Sequence, residues 1–258
     1  METNVYLCEN EIDGIFTGIY DAWASGYGHE NVRVEVEEAR TLSLFSRYHA
    51  VRTDSGKAEK VARSIRSKIS EKAYHLVFRT ALSADPGKAD KIYRFLIAGF
   101  RYGSGVTTRL ADPAVMAVFE ASRYVANEAH LFREFIRFKQ LKSGIYFGKI
   151  KPVNRVAVLM APDFEDRMPS EDWAIYDETW RDVVVHRADG PWVLVRPEGS
   201  EWERMLKESE EEERFQALWR TFFRTIGIEQ RRNPNCQRNM MPLRYRENAV
   251  EFWEKEKR

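Results

Sequence analysis

Apolar residues recur along the chain with two periods, and the change from one to the other near residue 143 organises the sequence. Val115, Val118, Val125, Ala129, Phe132 and Ile136 follow in alternating steps of three and four, with Ser122 as a small polar member of the row. That spacing puts them on one helix face. Leu131, Phe135 and Phe138 form a second apolar row. Asp112 offers an N-cap oxygen, Pro113 suits the first helical position and Gly144 marks a stop. The pattern predicts one helix from Asp112 to Lys142, roughly 45 Å long at about 1.5 Å per residue.

Before this helix, Asn4 to Cys8 reads as a strand, and Ile12, Ile15, Phe16, Ile19, Tyr20 and Trp23 mark a helix face. Val32, Val34 and Val36 alternate with charged residues. Asp54 caps a helix carrying Ala58, Val61, Ala62, Ile65 and Ile69; further helices are predicted over Glu71–Ser83 and after Pro86. The glycines of Gly99-Phe-Arg-Tyr-Gly103-Ser-Gly105 read as a helix terminator. They lack the Lys-Ser/Thr and the preceding strand that a phosphate-binding loop needs.

After Gly144 the period shortens. Ile145–Ile150 and Arg155–Met160 read as a hairpin turned at Lys151-Pro-Val-Asn154. Trp173–Asp177, Asp182–His186 and Trp192–Val195 read as further strands. Closely spaced strands without long helices between them favour an antiparallel sheet. Phe215, Leu218, Trp219, Phe222, Phe223 and Ile226 form a last apolar stripe, ended by Gly227. The expected fold class is α+β: a helical N-terminal region, a long central helix, an antiparallel sheet and C-terminal helices. Residues 1–143 form the mostly helical part and 144–258 the sheet with its helices, as two domains or one continuous one.

The net charge of +1 supplies no global basic field, so a polyanion-binding surface requires local segregation of charge. Cys8 and Cys236 are too few for a disulfide framework or a cysteine-held metal cluster and fit a reducing compartment. No secretory signal or membrane-spanning run is evident, so the expected location is cytoplasmic. On the polar stripe of the long helix, His130 and Glu134 are four apart and Glu134 and Arg137 three apart, so their side chains can meet. This is either an ordinary solvated face or a polar groove with a titrating histidine. Lys149, Lys151 and Arg155 surround the hairpin tip, and Arg231, Arg232, Asn233 and Arg238 sit in a polar tail. With Arg137, and with Tyr245 or an exposed Trp for stacking, they are the candidate nucleic-acid contacts. Ordinary solubilising charge is the competing reading. Trp180, Trp192 and Trp202 lie near turns, where they serve either an interface or the core.

Several stretches together resemble a family of bacterial DNA-metabolism proteins. They are Asp13-Gly14 with Ile19-Tyr-Asp-Ala-Trp23, Glu128-Ala-His130 with Phe135-Ile-Arg-Phe138, and Ile150-Lys-Pro-Val-Asn-Arg155. Ala161-Pro-Asp-Phe164, Trp173-Ala-Ile-Tyr-Asp177, Leu218-Trp219, Arg231-Arg-Asn-Pro234, Gln237 and Met241-Pro-Leu-Arg-Tyr245 follow in order. The family is encoded beside a radical-SAM protein with a helix-hairpin-helix region, and a related domain occurs fused to uracil-DNA glycosylases. Lys151 stands where the family commonly has an acid, and Leu131 where a basic residue is frequent.

The resemblance implies a DNA-repair or nucleic-acid-modification context. It favours a non-catalytic partner that binds DNA, the radical-SAM protein or both. The iron–sulfur cluster and S-adenosylmethionine are expected only in that partner, with no cofactor or metal in this chain. Two alternatives stay open. One is a stand-alone nucleotide or DNA hydrolase with His130 as general acid/base and Glu128, Glu134 or Asp163 in support. The other is a structural partner that never touches DNA.

Overall fold

A computed structural model describes residues 3–39, 44–197, 210–225 and 233–252. The chain is α+β and divides into two compact units, Met1–Ala126 and Asn127–Arg258. Among the described residues no helix is long and apolar enough to cross a membrane.

In the first unit, β1 (Thr3–Cys8) leads through α1 (Ile12–Ala24) to β2 (Val32–Val36), and β3 (Ser46–Ala50) follows. The three strands form a parallel sheet in the order β2-β1-β3, with Tyr6 opposite both Val34 and His49. The sequence pattern does not announce a parallel sheet here, because Ser-Arg-Tyr-His-Ala carries the polar composition of an edge strand and no apolar alternation. The opposite edge is protected by side chains. The Arg94 guanidinium donates to the carbonyls of His29 and Val32, while Asp90 accepts from the Val34 amide at 3.4 Å. These bonds occupy groups that would otherwise template another strand.

Helices α2 (Ser55–Lys68), α3 (Glu71–Ala81) and α4 (Lys88–Tyr102) match the periodic stretches that predict them. Asp54 caps α2 by accepting from the Lys57 amide at 2.9 Å. The Thr17 hydroxyl donates to the Asp13 and Asp54 carbonyls, tying that cap to α1. Phe16, Ile65, Ile92, Phe95 and Leu96 fill the core of this unit.

Helix α5 (Pro113–Phe135) starts where Asp112 and Pro113 place it, with Asp112 accepting from the Ala114 amide at 2.9 Å. It ends seven residues before Lys142 and is therefore about 35 Å long. Phe138 turns from the helical row into β4 (Phe138–Gln140), which pairs antiparallel with β5 (Tyr146–Ile150). Gly144, at φ 86°, closes the turn between them instead of terminating the helix.

The second unit carries a five-stranded sheet in the order β4-β5-β6-β7-β8, with β6 Trp173–Asp177, β7 Val183–His186 and β8 Val193–Val195. All neighbours are antiparallel except β5 and β6, which run parallel. The cause is α6 (Ala157–Arg167), which replaces the second strand of the expected hairpin. Arg-Val-Ala-Val-Leu-Met alternates enough to resemble a strand, but the buried positions are Ala157, Met160, Ala161 and Phe164. That is helical spacing. The segment returns the chain to the start of β6, as parallel pairing requires. Helices α7 (Glu210–Thr225) and α8 (Pro234–Met240) follow.

Candidate functional site

In the second unit the parallel pair β5 and β6 ends at Ile150 and Asp177, and polar side chains gather around the loops beyond. Glu128, on α5, is 2% exposed. Its Oε1 accepts from the Val153 amide at 3.0 Å; its Oε2 accepts from the Asn154 amide at 2.8 Å and from Asn154 Nδ2 at 2.6 Å. Arg244 stands 3.5 Å from the same carboxylate. The turn after β5 is thus held by a buried charge whose lone pairs face donors, the condition under which a buried carboxylate is tolerated.

One residue on, Arg155 places two nitrogens on Asp182 Oδ2, at 3.1 and 2.9 Å, and stacks its guanidinium over Trp180. Arg196 reaches Asp182 Oδ1 at 2.9 Å. Trp180 Nε1 donates to the Val153 carbonyl at 3.2 Å, so the two turns brace each other. Asp177 is buried beside this pair. Its Oδ1 accepts from the Thr179 and Trp180 amides, while Oδ2 has no hydrogen-bond partner among the described residues. Burial pushes its carboxyl up to about 7 against the two amide donors; Asp182 raises it further and Arg155 lowers it.

The sequence-predicted contacts divide clearly. Lys149, Lys151 and Arg155 do come together around the turn, but each faces an acid: Glu178 at 2.6 Å, Glu247 at 3.2 Å and Asp182. Arg137 donates to the carbonyls of Glu134, Phe135 and Ile136 at the end of α5 and pairs with Glu251 at 2.6 Å. Asn233 caps α8 by accepting from the Cys236 amide, and Arg238 is exposed on that helix. Tyr245 is buried against Phe132, with ring centroids 4.7 Å apart, so its ring is packed rather than displayed. Arg231, Arg232, Trp202, Ile226 and Gly227 lie outside the described residues.

His130 is exposed, with Nε2 3.3 Å from Glu134. Glu128 is turned to the loop at 153–154 and Asp163 pairs with Arg133, so neither carboxylate is brought to His130. Among the described residues no group of three His, Cys, Asp or Glu side chains is placed to hold a metal ion. Cys8 is buried and its thiol is pushed up to about 12 by that burial; Cys236 is exposed. Of the tryptophans near turns, Trp180 and Trp192 are half-buried.

The first unit holds a surface that residue-by-residue reading passes over. Residues 47–79 carry nine Lys or Arg against three Asp or Glu, a net charge of +6 in a chain of net +1. The exposed side of α2 presents Lys60, Arg63, Arg66 and Lys68, and Arg52 is exposed just before the helix. Arg63 pairs with Glu59 at 2.5 Å and Arg66 with Glu71 at 3.3 Å, while Lys57 reaches Asp21 at 2.7 Å. Arg66 also lies 3.7 Å above the Tyr74 ring. A running charge sum finds this stretch directly.

Comparison with known families finds a match to a domain of unknown function, DUF4130, over residues 86–251. No curated protein matches the chain. The matched stretch includes the Glu128, Asp177 and Asp182 network and leaves the basic segment outside it.

Proposed function

The chain belongs to the DUF4130 family, and we propose that it is a non-catalytic partner in DNA repair or nucleic-acid modification. On this reading it holds a polynucleotide on the basic side of α2, while a radical-SAM protein with its own iron–sulfur cluster and S-adenosylmethionine supplies the bond-breaking chemistry. The observation that carries the reading is the segregation of charge: +6 over residues 47–79 leaves the remainder of the chain net acidic. Phosphate contacts from Lys and Arg supply most of the sequence-independent affinity for nucleic acid. The acids matched to Lys149, Lys151 and Arg155 weaken the claim of the 151–155 turn to the same role.

The test is fluorescence anisotropy with labelled single- and double-stranded oligonucleotides over a salt series. Arg52, Lys60 and Lys68 are exposed, and changing all three to Glu lowers affinity at least tenfold at low salt. For a single strand it also flattens the slope of log K against log salt by roughly 2, at about 0.7 for each phosphate no longer neutralised. No binding at low salt, or an unchanged slope in the variant, removes the reading.

One observation favours a second reading, a structural partner that contacts the radical-SAM protein and not DNA. On α7, Phe215, Leu218, Trp219 and Phe222 are 43–66% exposed along one groove with Phe138 and Val250. Apolar faces of this kind occur at protein interfaces. Co-purification with the radical-SAM protein, with and without DNA, separates the two readings. The hydrolase reading rests on the single His130–Glu134 pair.

A further inference from the structure

We propose that the slot between Tyr27 and His49 takes an unstacked nucleobase, which deepens the polynucleotide reading by naming the part of the strand that is recognised. His49, on the edge strand β3, stacks on Tyr6 of β1, with ring centroids 4.8 Å apart and planes 16° from parallel. Its Nε2 meets Asn4 Oδ1 at 3.0 Å, so the imidazole is fixed both in position and in plane. On its other side stands Tyr27, with a centroid distance of 6.3 Å and an interplanar angle of 28°. The outer ring is 46% exposed.

That spacing is wider than a direct stack and slightly narrower than a ring sandwich requires. Two stacking steps at the per-strand rise of about 3.4 Å need about 6.8 Å, so entry of a base calls for roughly half an ångström of opening. The loop is built to allow this. Tyr27 lies between Gly26 and Gly28, both at positive φ (72° and 81°), a backbone region open to glycine at little cost. Around the rings is a cleft of about 450 Å³ lined also by Asp21, Ser25, Ala50 and Val51.

The slot adjoins the basic surface. Asp21, on its wall, is the residue that pairs with Lys57 of α2. Arg47 is exposed two residues before His49, hence on the same face of β3, and offers a phosphate contact. Aromatic platforms beside a cationic track are how single strands are held without reading sequence, since every base has a π-face. The ligand chemistry is a planar nucleobase carrying a phosphate, from a single strand or from a free nucleotide.

The experiment compares a twelve-nucleotide thymidine strand with an abasic strand of the same length and charge, by fluorescence anisotropy. The full chain binds the thymidine strand about tenfold more tightly than the abasic one. Tyr27→Ala removes that difference, Tyr27→Phe keeps it, and His49→Ala behaves as Tyr27→Ala; circular dichroism checks that each variant folds. Equal binding of both strands by the unaltered chain, or a Tyr27→Ala protein that still prefers the thymidine strand, overturns the slot and leaves the polyanion reading standing. Loss of strand binding altogether at low salt overturns the polyanion reading instead. In that event titration with thymidine 5′-monophosphate decides the slot. Tyr27-dependent binding assigns it to a free nucleotide, and its absence overturns it.

Discussion

Glu128→Gln is nearly isosteric, yet it should destabilise the second unit by about 2–3 kcal/mol. The glutamate collects three N–H donors on two oxygens, from Val153, from Asn154 and from the Asn154 side chain, with Arg244 at 3.5 Å. A glutamine has one carbonyl oxygen. Placed at the Oε2 position, it keeps both Asn154 contacts as weaker neutral bonds and points its NH₂ at the Val153 N–H. An unsatisfied buried donor costs about 1–3 kcal/mol, and exchanging charge-assisted for neutral bonds adds to that. The opposing effect is that a neutral amide no longer needs a charge buried at 2% exposure. Here the donors already offset that desolvation, so the removal of acceptors wins. Glu128→Ala, which abandons all the donors, should cost about 3–5 kcal/mol. Urea unfolding followed by tryptophan fluorescence reads the change. At a slope of about 1–3 kcal/mol per molar, the Gln variant moves the midpoint down by about 0.7–3 M. Amide exchange at Val153 and Asn154 should accelerate in the same variant. A Gln variant within about 0.5 kcal/mol of the parent, with both amides still protected, would refute the reasoning.

Asp177 is the converse case, a buried carboxyl with one oxygen unpartnered among the described residues and a proton held up to about 7. Its unfolded value is about 3.9, so between these values the native state carries the extra proton and its contribution to stability is lost as pH rises from about 4 to 7. Asp177→Asn keeps the acceptor for the Thr179 and Trp180 amides. It should remove that decline and stabilise the protein at pH 8 by about 2–4 kcal/mol, read by urea midpoints at pH 4 and pH 8. Gly148→Ala places a Cβ 2.6 Å from Ile136 Cδ1 and 3.1 Å from Phe138 Cε1, and should cost about 1–3 kcal/mol by thermal or urea unfolding. His130→Ala removes an exposed side chain that touches Glu134 and should change stability by less than about 1 kcal/mol; loss of a hydrolytic activity in that variant would revive the enzyme reading. Arg155→Ala should destabilise the second unit by about 3–5 kcal/mol, because it strips a bidentate partner from buried Asp182. It should leave the salt slope of oligonucleotide binding unchanged.

The helices of the first unit are legible in the sequence because each pairs a helical apolar row with a local boundary signal, as with Asp54 before α2 and Asp112-Pro113 before α5. Strand β3 is not, since an edge strand of Ser-Arg-Tyr-His-Ala carries no burial pattern to read. The hairpin expected after β5 fails for a different reason. Val156, Val158 and Met160 alternate, but the buried set of Ala157, Met160, Ala161 and Phe164 becomes visible only when the window extends past Pro162. Grouping Glu128 with His130 conflicts with helix geometry alone, because residues two apart on a helix do not face each other. What the helix does with Glu128 depends on a turn 25 residues away, and nothing local to either segment encodes that pairing. The basic segment is fully legible, but only to a sum of charge along the chain. Weighing cations singly, at turns and in the tail, passes it by.

The two kinds of cationic surface are physically different, which is why they can be told apart. Around the 151–155 turn the charges are neutralised within the fold, and Arg155 with Asp182 is largely desolvated. A phosphate arriving at Arg155 must first separate a buried pair, at a cost of several kcal/mol, before it gains anything. Along α2, Lys60 and Lys68 are exposed and face no carboxylate among the described residues, so each can displace a cation condensed on a polynucleotide, which leaves with a gain in entropy. Positive residues in the two places therefore predict opposite behaviour. Mutating the turn alters folding and leaves association with a polyanion alone, whereas mutating α2 alters association and its salt dependence and leaves folding nearly untouched. The matched turn is built to position the chain's own loops, whereas Lys60 and Lys68 leave α2 with attraction to offer a partner beside its Lys57, Arg63 and Arg66 ion pairs.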